Sequence, residues 1–183
     1  MSGRALAVAV YCGSHASVPD SYLELAAAVG AEIAARSASL VWGGGRASMM
    51  GAVARAARRG GARTVGVIPR ALVDREWADH DADELLVVDT MRERKALMEA
   101  HADAFLALPG GLGTCEELFE VWTARYLGMH DKPVVLLDPD THWTGLIGWV
   151  QGLRDKGFAS TRALDALAVT TTVAGALDAC GVS

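Results

Sequence analysis

The chain has 183 residues, 51% of them hydrophobic and 21% charged, with a formal net charge of −5. That is long enough to bury a full core in one domain spanning residues 1–183, and too apolar for a disordered chain. The acidic balance gives no general attraction for nucleic acid, so any bound anion must be held by a local site.

The apolar run at residues 5–11 reads as a buried first strand, ended by the turn Cys12-Gly13-Ser14. A helical pattern follows over 21–36. A second strand at 40–42 runs into Gly43-Gly44-Gly45, and a small-residue helix occupies 48–59. A third strand at 64–68 precedes the longest irregular stretch, 69–84, rich in Asp, Arg and His. Loops of that length are often functional, and Glu76 and Trp77 are its candidates for covering a ligand. A strand at 85–88, a helix at 91–101 and a strand at 104–108 come next. The last of these ends in Pro109-Gly110-Gly111-Leu112-Gly113-Thr114-Cys115-Glu116-Glu117, which opens a helix over 115–127. A strand at 134–137 and helices over 143–156 and 173–180 complete the chain. Such alternation predicts an α/β fold, a doubly wound Rossmann-like parallel sheet flanked by helices.

Ligands of such sheets sit at the carboxyl ends of the strands. Three glycine clusters fall there, after the first, second and fifth strands, and their convergence says more than any one turn. Neither Gly-x-Gly-x-x-Gly after the first strand nor the phosphate loop ending in Gly-Lys-Ser/Thr is present, which argues against ordinary NAD binding and triphosphate hydrolysis. The 109–117 segment combines close backbone approach with the positive end of a helix, a cradle for phosphate with two carboxylates beside it. Thr114 and Glu117 also have the spacing of a capping box, which would give Glu117 a purely structural task. Arg94 and Lys95 ride near the line joining Met91 and Met98, so their helix is expected to turn a cationic pair into the site. Arg92 and Glu99 look like surface charges.

The acidic loop has the spacing of neither a calcium loop nor a zinc helix, and no metal or other cofactor is expected. Cys12, Cys115 and Cys180 are odd in number and far apart, fitting neither disulfides nor zinc, and point to a reducing cytoplasm. Cys115 reads as a small packed residue, although a helix start could lower its pKa. No apolar run approaches the roughly 20 residues that span a bilayer, so no membrane partner is expected.

With these residues in place, the chain resembles the lonely guy family, long labelled lysine-decarboxylase-like, and its actinobacterial members most. Pro-Gly-Gly-x-Gly-Thr-x-x-Glu is met in full by residues 109–117. Gly-Gly-Gly-x-x-Gly-Leu-Met-Gly is met by residues 43–51, with Ser48 for Gly and Met49 for Leu. Arg94-Lys95 match the family's Met-His-x-Arg-Lys helix, with Arg92 where His is usual. Gly66-Val-Ile-Pro69 and the segment 127–133 also fit. The resemblance implies a homodimer or larger homo-oligomer that cleaves the N-glycosidic bond of cytokinin riboside 5′-monophosphates, with AMP a poorer substrate or a ligand. It implies Arg94 and Glu117 for catalysis, and substrate contacts from Glu76, Lys95, residues 111–117 and Thr123. The reading of the loops adds Gly13, Ser14, Gly43, Gly44, Gly45, Pro109 and Gly110. Two rival readings stay open: a nucleotide-binding module without catalysis, and a decarboxylase using a pyridoxal phosphate lysine.

Overall fold

The computed structural model describes residues 5–74 and 77–183. Among them seven strands form one sheet: β1 (Ala7–Tyr11), β2 (Ser39–Trp42), β3 (Thr64–Pro69), β4 (Glu84–Val88), β5 (Ala104–Ala107), β6 (Val134–Leu137) and β7 (Ala168–Thr170). The order is β4-β3-β2-β1-β5-β6-β7, and every pairing is parallel. Parallel neighbours need long crossovers. Helices α1 (Asp20–Ala35), α2 (Ser48–Arg59), α3 (Met91–His101), α4 (Leu112–Tyr126), α5 (Thr144–Asp155), α6 (Thr161–Asp165) and α7 (Val173–Ala179) lie between and after the strands.

Side chains of β1 alternate between two apolar layers, as the strand period of two requires. Val8, Val10 and Cys12 pack with Ala26, Val29 and Ile33 of α1 and Met49 and Val53 of α2. Ala7, Ala9 and Tyr11 pack with Met98 of α3 and Leu118, Val121 and Trp122 of α4. All five β1 residues are buried, which is why the strand reads as an uninterrupted apolar run. Helices α1 and α2 approach closely because Gly30 has no side chain: a Cβ there would lie 2.2 Å from the Val53 carbonyl oxygen.

The doubly wound reading holds. Three short elements escaped it: β7 and α6, of three and five residues, and a 3₁₀ helix at Arg70–Leu72. The other departure matters for the site. Helix α4 begins at Leu112, three residues ahead of the predicted start at Cys115. The sheet order reverses between β1 and β5, and a crevice opens there, beyond the strand ends. The turns after these strands are joined: Leu108 donates its N–H to the Tyr11 oxygen at 2.8 Å, and Gly13 to the Pro109 oxygen at 3.2 Å.

Candidate active site

A cleft of 520 Å³ occupies this crevice, a volume typical of small-molecule sites. Its polar lining comes from Gly13, Ser14, the 109–111 turn, the start of α4, Arg94, Glu116 and Glu117. Its apolar lining comes from Val18, Met49, Met50, Leu72 and Met91, with Met91 in contact with Arg94. The site therefore offers anion-ready polar groups and apolar side chains within one cavity.

The anion-ready helix start is that of α4. Its N-cap is Gly111, which supplies no side chain to the first N–H groups of the helix. Those groups have no partner within a helix and carry its positive end. Thr114 is not the N-cap; it is a buried residue of the first turn. Gly110 has to be glycine beneath it, since a Cβ there would lie 2.1 Å from the Thr114 hydroxyl. The alternative reading of Thr114 and Glu117 as a capping box is therefore overturned. The chain does form such a box at α3, where Glu93 N–H donates to Thr90 Oγ1 at 3.1 Å and Thr90 N–H to Glu93 Oε2 at 3.0 Å. Glu117 stands five residues beyond Leu112, so its Cα is about 7.5 Å along the axis from the helix start. Helical side chains lean toward the N-terminus, and Glu117 reaches the cleft that way, half-buried. Its charge is felt in the core: burial first, and then Glu117, raise the pKa of the Tyr11 hydroxyl well above its ordinary value.

Arg94 enters the same cleft from α3, only 5% exposed. A guanidinium that deep has to be paired. Its Nε donates to the Val67 carbonyl at 3.1 Å and one terminal nitrogen to the Gly43 carbonyl at 2.7 Å. A Cβ at Gly43 would sit 2.1 Å from that nitrogen, so any side chain there has to displace the end of Arg94. Gly43, Gly44 and Gly45 are buried and do not line the cleft. Their task in the structure is to let Arg94 through, to turn at Gly44 (φ +74°), and to pair Gly45 with Ala78 in an antiparallel bridge.

The predicted cationic pair is split. Lys95 points across to α4, where it is bonded to Glu116 and lies 2.7 Å from Glu120; it does not line the cleft. Burial alone would lower its pKa, but the bonds to both glutamates outweigh that and raise it. Glu99 is not an ordinary surface charge either: burial, with Glu120 nearby, raises its pKa. Thr123 is exposed on α4, outside the cleft. Cys115 has its pKa raised by burial, not lowered by the helix start. Trp77 is 63% exposed and does not line the cleft, and Glu76 lies outside the described residues.

Sequence reasoning missed His142 and Tyr22, which line the cleft from the β6–α5 loop and from α1. The signal available was positional, since the end of β6 lies on the same sheet edge as the glycine turns. Among the described residues no group of His, Cys, Asp and Glu could hold a metal ion, and no helix is long and apolar enough to cross a membrane.

Residues 50–180 match the family described as possible lysine decarboxylase. The chain belongs to this family. Its lonely guy branch supplies the curated relatives. A Mycobacterium tuberculosis protein named cytokinin riboside 5′-monophosphate phosphoribohydrolase is 58% identical over 176 residues, 96% of this chain and 94% of that protein. An Arabidopsis thaliana protein of the same name, LOG4, is 44% identical over 156 residues, 85% of this chain and 73% of that one. Among solved structures, the molybdenum cofactor carrier protein of Chlamydomonas reinhardtii superposes with a TM-score of 0.73 at 23% identity, covering 96% of each chain. The last likeness is one of fold alone.

Proposed function

We propose that this protein is a phosphoribohydrolase that cleaves cytokinin riboside 5′-monophosphates into the free base and ribose 5-phosphate. The observation that carries the reading is Glu117 and buried Arg94 lining one cleft with the uncapped N-terminus of α4. The 5′-phosphate would bind the N–H groups at 111–114, with the dipole behind them. The apolar side chains of Val18, Met49, Met50, Leu72 and Met91 in the lining suit a base bearing an apolar N6 substituent. As the C1′–N9 bond breaks, its electron pair leaves with the base, which takes up a proton, and positive charge grows on the ribose. Glu117 would stabilise that charge and orient the water that adds to C1′. Arg94, fixed by two backbone carbonyls, would hold substrate and Glu117 in register.

The decarboxylase wording of the family description finds little support in the lysines. A Schiff-base lysine must reach its cofactor in the site. Lys95 is tied to two glutamates, Lys132 donates to the Glu99 carbonyl at 2.7 Å, and neither these nor Lys156 lines the cleft. A homodimer or larger homo-oligomer belongs to the same proposal, supported by exposed Leu127, Met129, Trp149 and Phe158. Thr123, outside the cleft of its own chain, would then contact substrate only through such an assembly.

The test is kinetic. Glu117→Gln and Arg94→Gln should each lower kcat on N6-isopentenyl-AMP by ~10²–10⁴-fold, with far-UV circular dichroism unchanged. Near-normal turnover by a folded Glu117→Gln protein would remove that residue from the chemistry.

A further inference from the structure

The Pro109-Gly110-Gly111 turn is gripped by one side chain from another element. His142, between β6 and α5, brings Nε2 to 3.0 Å from the Gly110 carbonyl oxygen and to 3.3 Å from the Gly110 nitrogen. One ring nitrogen cannot donate to the oxygen and accept from the N–H at once. With the proton on Nε2 the ring donates to the Gly110 oxygen; with the proton on Nδ1, Nε2 accepts from the Gly110 N–H. The imidazole is itself positioned. Trp143 meets it edge-on at 4.7 Å and 89°, and Tyr22 at 6.0 Å and 73°. Its loop is pinned at two points: buried Asp138 accepts from the Trp143 N–H at 3.0 Å, and the Tyr22 hydroxyl donates to Asp140 at 2.5 Å. His142, an exposed residue held between these rings, reaches the turn and also lines the cleft.

We propose that His142 carries its proton on Nε2, donates to the Gly110 carbonyl, and so acts as a positioning residue for the phosphate-binding turn of the cleft. A trans peptide is planar, with its N–H opposite its C=O. Holding the Gly110 carbonyl therefore fixes the direction of the Gly111 N–H, which stands at the head of the donors opening α4. Without the clamp the turn keeps its glycines, and with them the freedom to swing those donors away. This inference rests on the reading of the cleft as a nucleoside monophosphate site.

The experiment compares the native chain with His142→Phe and His142→Gln by calorimetric titration with orthophosphate, AMP and adenosine, together with steady-state kinetics on N6-isopentenyl-AMP. Loss of one hydrogen bond that preorganises the donors should weaken orthophosphate and AMP about five- to tenfold in His142→Phe. Adenosine, which has no phosphate, should bind as before, and KM should rise while kcat stays within about twofold. His142→Gln, whose amide can still donate to Gly110, should recover most of the loss. Equal weakening of AMP and adenosine, or unchanged orthophosphate binding in His142→Phe, would overturn the clamp. AMP affinity that follows residue 142 in a protein releasing no base would support the clamp and overturn the hydrolase reading instead.

Discussion

Gly43 and Ser48 show how single positions set the cleft. Gly43→Ala would drive a methyl group into the Arg94 guanidinium, 2.1 Å away. A displacement of about 1 Å at a positioned group costs on the order of 10²-fold in rate, so kcat should fall that far while far-UV circular dichroism shows the fold retained. Ser48 stands where the family motif has glycine, and its φ of +50° shows why glycine suits the position. The left-handed conformation costs a non-glycine residue about 1–2 kcal/mol. Here the Ser48 hydroxyl returns part of that by donating to the His15 carbonyl at 2.9 Å, tying the turn before α2 to the loop after β1. Ser48→Gly should therefore change unfolding free energy by no more than about 1 kcal/mol, measured by urea titration. The glycines at 43 and 110 were visible in the motifs. What a side chain there would strike was not, because it is Arg94 and Thr114, which only the folded chain brings against them.

At the scale of elements, the α1–α2 contact depends on Gly30. Even the first carbon of a larger side chain would lie 2.2 Å from the Val53 carbonyl oxygen, a backbone atom that cannot rotate aside. Gly30→Val should cost at least about 3 kcal/mol, near the upper end for overpacking, and lower the urea midpoint accordingly. The strands were legible because parallel sheets bury both faces and leave unbroken apolar runs. Edge strand β7 has three residues, two of them exposed, and gives no such signal. The start of α4 was misjudged for a reason that bears on function. Thr114 and Glu117 have cap spacing, yet Gly111 is the cap, and the bare helix end this leaves is what an anion site needs. The split of Arg94 from Lys95 was equally hidden. Adjacent helical positions are about 100° apart around the axis, enough to send one cation to the cleft and the other to the glutamates of α4.

Opposed groups set the response of the molecule to acid: His130 makes acid destabilising, while Glu99, with its raised pKa, acts the other way. The His130 Nε2 bonds the Val121 carbonyl at 3.0 Å, while its buried Nδ1 has no partner. Burial, the largest influence, lowers its pKa, and Lys132 and Arg125 push the same way. A depressed histidine pKa means that the unfolded chain binds the proton first. The stabilisation is therefore complete above the ordinary histidine value of about 6.5 and is lost as pH falls through the lower folded value. Asp83, held below the usual carboxylate range chiefly by the Thr64 N–H, acts in the same direction as His130 at lower pH. Between pH 7.5 and 5 the urea midpoint of the native chain should fall relative to that of His130→Phe; an unchanged difference would remove His130 from the cause.

The sheet order, the switch between β1 and β5, and the glycine turns at their ends bring Arg94, Glu117 and the opening of α4 to one 520 Å³ cleft. The central claim is that this cleft cuts an N-glycosidic bond. The most direct measurement is chromatographic analysis of products after incubating the purified protein with N6-isopentenyl-AMP. Free N6-isopentenyladenine and ribose 5-phosphate in equal amounts are the expected result, with neither formed by Glu117→Gln. Substrate bound but recovered intact from the native protein would contradict it.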